Sequence, residues 1–106
     1  MDKLTDLEIC KRIAEIEGAK ETLYSYSSFN TPKELTAVFD SRTVFNYNPL
    51  TDDALCFKLM VKYKAWRWSN PAEGKFNAWN NNVNGWVSAK TLNCAICLAI
   101  IQSKDQ

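Results

Sequence analysis

The chain has 106 residues, of which 46% are hydrophobic and 24% are charged, and its formal net charge at pH 7 is +1. A chain of this length forms one domain and can bury a single core without disulfides or metal. The balanced charge excludes an acidic mimic of DNA and gives no overall attraction to nucleic acid or membrane. Residues 57–106 nevertheless carry seven Lys and Arg against two Asp and Glu, whereas residues 1–56 carry six against ten.

Met1 leads directly into a mostly polar stretch, so we expect no secretion signal. No apolar run reaches the ~20 residues that cross a bilayer. We therefore expect a cytoplasmic protein that does not enter membranes.

The first predicted element is a helix. Thr5 is its predicted N-cap, and Glu8 stands three residues later, which is the spacing of a capping box. Gly18 is the predicted left-handed stop. The apolar face repeats at helical spacing through Ile9, Ile13 and Ile16.

Residues 19–47 are rich in aromatic and β-branched side chains, which are typical of strands. We predict a short strand over 23–27 and a turn over 28–32. Residues 35–39 and 43–47 are expected to be strands or an extended edge, preceded by a short helical turn at Pro32, Lys33 and Glu34.

A second helix is predicted to begin near Asn48–Thr51. Asn48 before Pro49 is one candidate N-cap, and Thr51 is the other. The following Asp52 and Asp53 suit the positive end of the helix dipole.

Three antiparallel strands are predicted to follow, over 65–69, 76–80 and 86–89, with polar turns between them. Strand alternation places Trp66 and Trp68 on one face and Arg67 on the other, and we expect the two tryptophans to point into the core. By the same alternation, Asn77 and Trp79 share the face opposite Phe76 and Ala78.

The last predicted helix is capped by Thr91 and is apolar nearly all round over residues 92–101. It either lies between the sheet and another helix or forms a homo-oligomer contact. Together the elements predict an α+β fold with one domain over 1–106. Its architecture would be a small α/β/α-type sandwich, with a mainly antiparallel three- to four-stranded sheet packed by three helices.

The residues that could carry chemistry do not form a catalytic set. The absence of histidine excludes Ser-His and Cys-His catalysis and histidine-ligated metal. Cys94 and Cys97 have C-x-x-C spacing, but they lie in an apolar helical run, as Cys10 and Cys56 lie among apolar neighbours. All four are interpreted as core residues. We predict no enzyme activity, no cofactor and no metal site.

The order of these motifs resembles the NinX-type proteins of tailed phages and prophages and the related phage α-β-α sandwich domain. The matching segments are Leu4–Ile9 with Arg12–Ala14, Tyr47–Ala54, Gly85–Ala89 and Ala95–Ala99. The resemblance implies a helix-sheet-helix sandwich, a phage or prophage origin and no catalytic residues.

On this basis we expect an accessory protein of the host bacterial cytoplasm that binds and blocks a host protein or protein–nucleic acid complex. The target would belong to the host-defence machinery, so that the protein acts as an inhibitor of the anti-CRISPR or anti-restriction type. The alternative is a nucleic-acid-binding module that uses the basic, aromatic region 62–90, since cations among aromatics stack single-stranded bases. The predicted partner-binding residues are Lys62, Lys64, Arg67, Lys75, Trp79, Asn81, Asn82 and Trp86.

Overall fold

The computed structural model describes residues 4–27, 29–70, 72, 75–80 and 87–104, and for residues 68–70, 75 and 80 it describes the backbone alone. The chain divides into two compact units, Met1–Asn48 and Pro49–Gln106. The described elements are three helices and two three-stranded antiparallel sheets. The predicted α+β class is therefore confirmed. Whether the two units act as the single domain predicted from length stays a prediction.

The first unit begins with helix α1, Asp6–Ile16, whose two ends follow the sequence signals. The backbone N–H of Glu8 donates to Thr5 Oγ1 at 3.2 Å, and the N–H of Thr5 donates to Glu8 Oε1 at 3.0 Å. At the other end Gly18 has φ +96°, and the N–H groups of Gly18 and Ala19 reach back to the carbonyls of Glu15 and Ala14. The helix thus ends in a Schellman motif, as glycine at this position favours.

The sheet of this unit has the order β1-β2-β3, with β1 Glu21–Tyr26, β2 Pro32–Val38 and β3 Thr43–Val44. The helical turn predicted at Pro32–Glu34 is wrong, because these residues are the start of β2. Tyr26 pairs with Pro32 across an irregular register, and proline is tolerated as the first residue of a strand since it needs no ladder N–H there. The predicted strand 43–47 is shorter than expected, because Asn46 turns the chain at φ +51°.

The core of the first unit forms where α1 packs on β1 and β2. The apolar residues of α1 lie on one side of the helix, and this side packs against β2. The side chains buried there are Ile9, Cys10, Ile13 and Ala14 of the helix and Leu35 and Ala37 of the strand.

The capping box gives α1 a pH-dependent contribution to stability. The hydrogen bond from the Thr5 backbone lowers the pKa of the exposed Glu8 carboxyl. A folded pKa below the unfolded value means that the stabilisation is present above the unfolded pKa and is lost as pH falls through the folded pKa. We expect wild type to unfold at higher urea than Glu8→Gln at neutral pH, and this difference to vanish in acid. Glutamine can keep the capping geometry but does not titrate, so an unchanged difference in acid would contradict the assignment.

The second unit contains α2 Asp53–Lys62, β4 Ala65–Asn70, β5 Lys75–Asn80, β6 Val87–Ala89 and α3 Leu92–Lys104. Both predicted N-caps of α2 are wrong. Residues 49–51 form a turn, so the helix starts later, and Asp52 Oδ1 accepts the N–H of Leu55 at 3.1 Å. Asn48 instead accepts a hydrogen bond from the Cys10 thiol at 3.4 Å.

Helix α3 is the centre of the second unit. Thr91 caps it as predicted, since Thr91 Oγ1 accepts the N–H of Cys94 at 3.1 Å. The helix packs against all three strands and against α2. Its fully or nearly buried residues are Cys94, Ala95, Ile96, Cys97, Ala99, Ile100 and Ile101. Most of the apolar surface of α3 is therefore covered within the chain. A homo-oligomer contact through residues 92–101 stays a prediction.

The sheet of the second unit has the order β4-β5-β6, which leaves β4 as an edge strand. Ala65, Ala78 and Val87 are buried, and Ala78 pairs with Val87, so these residues define the face that α3 covers. No described helix is long and apolar enough to cross a membrane.

Candidate functional site

An apolar stripe on α2 faces solvent. Cys56 and Leu59 turn inward and are 1% exposed, whereas Phe57 and Val61, one helical turn apart, are 55% and 61% exposed. Half-buried Met60 lies between the two sides. A helix with apolar residues on both sides offers the second side to something outside the unit. This stripe was missed in the sequence, although the apolar residues at i and i+4 were the available signal.

Trp66 on β4 is the largest exposed side chain of the second unit among the described residues, at 61% exposure. The prediction that it points into the core is therefore wrong. The reason is register. Arg67 pairs with buried Ala78, so position 67 belongs to the face covered by α3 and position 66 to the outer face. The same prediction applies to Trp68, whose side chain lies outside the described part of the structure.

Met60, Val61, Lys64, Ala65, Trp66 and Arg67 line a shallow pocket of about 470 Å³. A second cleft of about 600 Å³ shares Met60 and Arg67 with it and extends toward α3. The exposed apolar stripe of α2 and the edge strand β4 are therefore continuous. We refer to Phe57, Met60, Val61, Lys64, Trp66 and Arg67 together as the α2–β4 surface.

The turn between α2 and β4 places a cation at this surface. Lys64 has φ +55°, the left-handed conformation that usually favours glycine. Its N–H bonds to the carbonyl of Val61 at 3.3 Å, and β4 begins at the next residue. A non-glycine side chain in this conformation costs of order 1 kcal/mol. Lys64 is exposed and lines the same pocket as Trp66.

The 600 Å³ cleft lies between the first halves of α2 and α3. It is lined by Asp53, Ala54, Cys56, Phe57, Met60, Arg67, Leu92, Asn93 and Ile96. Asn93 Nδ2 donates to Asp53 Oδ1 at 2.8 Å and to the carbonyl of Leu50 at 3.1 Å. These bonds tie the start of α3 to the start of α2 and shape one end of the cleft.

The outer face of the second sheet carries a further aromatic. Trp79 is half-buried and stands directly opposite Trp66 across the β4–β5 pair. Asn77 shares this face as predicted, and its side chain accepts a hydrogen bond from Ser88 on β6. Two tryptophans thus occupy neighbouring positions on one sheet face.

The predicted partner-binding residues do not all lie together. Lys64 and Arg67 belong to the α2–β4 surface, and Trp79 lies on the adjoining outer face. Lys62 is exposed, but its ammonium lies 5.5 Å from the centroid of the Tyr63 ring and does not line either pocket. Asn81, Asn82 and Trp86 lie outside the described residues, as does the side chain of Lys75.

All four cysteines are buried, as expected of core residues. Within the described residues no group of three or more His, Cys, Asp or Glu side chains has an arrangement that could hold a metal ion. The groups available for binding at the α2–β4 surface are therefore apolar, aromatic and cationic side chains.

Comparison with known proteins adds no relative to this picture. No protein-family model matches the chain, and neither a curated protein nor a solved structure matches it. The fold and site define a small α+β protein with an exposed aromatic and cationic surface.

Proposed function

We propose that this chain is a non-enzymatic binding protein that docks on a host protein through the α2–β4 surface and blocks it. The observation that carries the proposal is that exposed Trp66 lines one pocket with Val61, Lys64 and Arg67. Exposed Phe57 lies one helical turn before Val61 on the same helix. The resemblance of the sequence to small phage proteins suggests the biological setting. There the protein would be a phage- or prophage-encoded accessory factor, with host-defence machinery of the anti-CRISPR or anti-restriction type as the target class.

The composition of this surface is that of an interface centre. Tryptophan, phenylalanine, methionine and arginine are the residues enriched in protein–protein contacts. Trp and Arg also dominate the few positions that supply most of the binding energy. Contiguous exposed apolar side chains that are rimmed by polar groups mark interaction sites. The α2–β4 surface combines these properties on two adjacent, regular elements.

The charges around the surface indicate which partner chemistry would complement it. Lys58, Lys64 and Arg67 are exposed, and residues 49–106 carry seven Lys and Arg against four Asp and Glu. A complementary partner therefore presents an apolar pocket for Trp66 with carboxylates at its rim. Such pairing of charges mainly accelerates association and sharpens specificity.

Site-specific crosslinking in cells tests the proposal. A photoreactive amino acid at position 61 is expected to crosslink the chain to one dominant bacterial protein at near-stoichiometric yield. The matched control carries the same group at position 23, since Leu23 is also an exposed apolar residue but lies on β1 of the other unit. Equal crosslinking from both positions, or none from position 61, would contradict docking through α2.

Nucleic acid binding is the second candidate, and the Trp66–Trp79 pair favours it. An open sheet face with neighbouring aromatics is a platform on which single-stranded bases stack. This candidate predicts quenching of tryptophan fluorescence by a single-stranded oligonucleotide, with affinity that falls steeply as salt rises. Unchanged fluorescence at low salt would remove it and leave the protein partner.

A further inference from the structure

Two buried cysteines meet where α2 packs on α3. Cys56 of α2 is 1% exposed and Cys97 of α3 is 0% exposed. The Cys56 thiol donates to the backbone carbonyl of Asn93 at 3.9 Å. Asn93 lies four residues before Cys97 and therefore on the same side of α3. The Cys56 sulfur is thus held against the turn of α3 that carries Cys97.

The two thiols also contact each other. A hydrogen bond from the Cys97 thiol lowers the pKa of Cys56, an effect that burial and the nearby Asp53 oppose and Arg67 supports. The thiolate is the nucleophilic form of cysteine, and the lowered pKa favours this form at Cys56. Cys97 is then already in place as the second thiol.

Cys56 borders a cleft that opens toward solvent. It lines the 600 Å³ cleft together with Asp53, Asn93 and Arg67. None of the other three cysteines lines this cleft. Cys10 belongs to the first unit, where its thiol donates to Asn48, and neither Cys94 nor Cys97 lines the cleft. Cys56 is therefore the cysteine that lines the cleft, and its hydrogen bond to Asn93, one turn before Cys97, makes Cys97 its partner.

We propose that Cys56 and Cys97 form an oxidation site, at which a peroxide converts the two thiols into a disulfide that joins α2 to α3. In the first step the Cys56 thiolate attacks one peroxide oxygen and the O–O bond breaks. This gives a sulfenic acid and hydroxide, which takes up the proton that the thiol has released. In the second step the Cys97 sulfur displaces the sulfenic oxygen, and the thiol proton leaves with it as water. The peroxide accepts two electrons, one pair in total, and the thiols supply them.

The site responds to oxidant rather than being linked permanently. Cytoplasmic thiols stay reduced by default, and disulfides there are mostly transient. The disulfide would tie α2, which carries Phe57 and Val61, to the buried helix α3. The proposal does not depend on docking, because the oxidation can be measured on the purified chain alone.

Peptide mapping after oxidation is the test. The purified chain is treated with hydrogen peroxide, free thiols are alkylated, and a tryptic digest is analysed without reduction. Trypsin leaves Cys56 in the peptide 43–58 and Cys94 with Cys97 in the peptide 91–104. We expect these two peptides to be linked through Cys97, with the mass of two hydrogens lost and two of the four thiols no longer titratable.

Matched variants locate the bond. Cys94→Ala is expected to keep the link, whereas Cys97→Ala is expected to abolish it and leave Cys56 as a sulfenic acid that a dione probe traps. Circular dichroism of each variant establishes that it is folded. A Cys94–Cys97 bond in wild type would overturn the proposal. So would a link that survives in Cys97→Ala, or overoxidation of Cys56 without any link.

Discussion

Replacing Trp66 with alanine is expected to weaken binding of the crosslinked partner by about a hundredfold or more, equivalent to about 3 kcal/mol. The reason is that an exposed tryptophan at the centre of an apolar surface gains most from burial when a partner covers it. Trp66 is 61% exposed in the free chain, so its removal takes away much of the contact area. Calorimetric titration of the variant with the purified partner measures the loss.

The same exposure separates binding from folding in this experiment. A mostly exposed side chain contributes little to the core, so the urea midpoint of Trp66→Ala should stay close to wild type. Phe45→Ala is the matched control, because Phe45 is an aromatic of the other unit and is 77% exposed. Its affinity should be unchanged. Loss of affinity in both variants, or in neither, would mean that the α2–β4 surface is not the docking site.

Replacing Ile100 with alanine is expected to lower the free energy of unfolding by about 2–5 kcal/mol. Ile100 is 0% exposed and lies on α3, which contacts all three strands of the second sheet and α2. Truncation leaves a cavity that neighbours on several sides cannot all close. The free energy of unfolding of natural domains is only about 5–15 kcal/mol. The substitution is therefore expected to remove a large fraction of it.

Urea unfolding of purified Ile100→Ala measures this effect. Ile100→Val should cost only about 0.5–1.5 kcal/mol because it removes a single methylene. Leu23→Ala is the surface control, since Leu23 is 50% exposed. It should change the free energy of unfolding by no more than about 0.5 kcal/mol. An Ile100→Ala midpoint equal to that of Leu23→Ala would show that α3 is not packed as described.

The helix ends were predictable where the signals are local. Thr5 and Glu8 exchange hydrogen bonds within one turn, and Gly18 adopts the left-handed conformation that its own backbone permits. Thr91 caps α3 in the same manner. The start of α2 was not predictable in this way, because Asn48, Thr51 and Asp52 are all competent caps. Because residues 49–51 form a turn, α2 starts at Asp53, and Asp52 is the residue that accepts the N–H of Leu55 in the first turn.

The candidate site was predictable only in part. The sequence pattern marks Lys64 and Arg67 as cations among aromatics. It predicts a core position for Trp66 and indicates no site role for Phe57, Met60 and Val61. Apolar side chains look the same in sequence whether a neighbour covers them or not. Their exposure depends on which face of α2 and which face of β4 the rest of the unit packs against.

The sequence by itself determined the α+β class, the elements and their order, and the apolar character of the last helix, because helix caps, turn residues and hydrophobic period act over a few neighbouring residues. Only the tertiary structure decided that Trp66 faces outward, that Cys56 lies against Cys97, and that two pockets join across Met60 and Arg67. These features depend on strand register and on helix packing between residues far apart in the chain. A shift of one residue in the register would exchange the faces of Trp66 and Arg67.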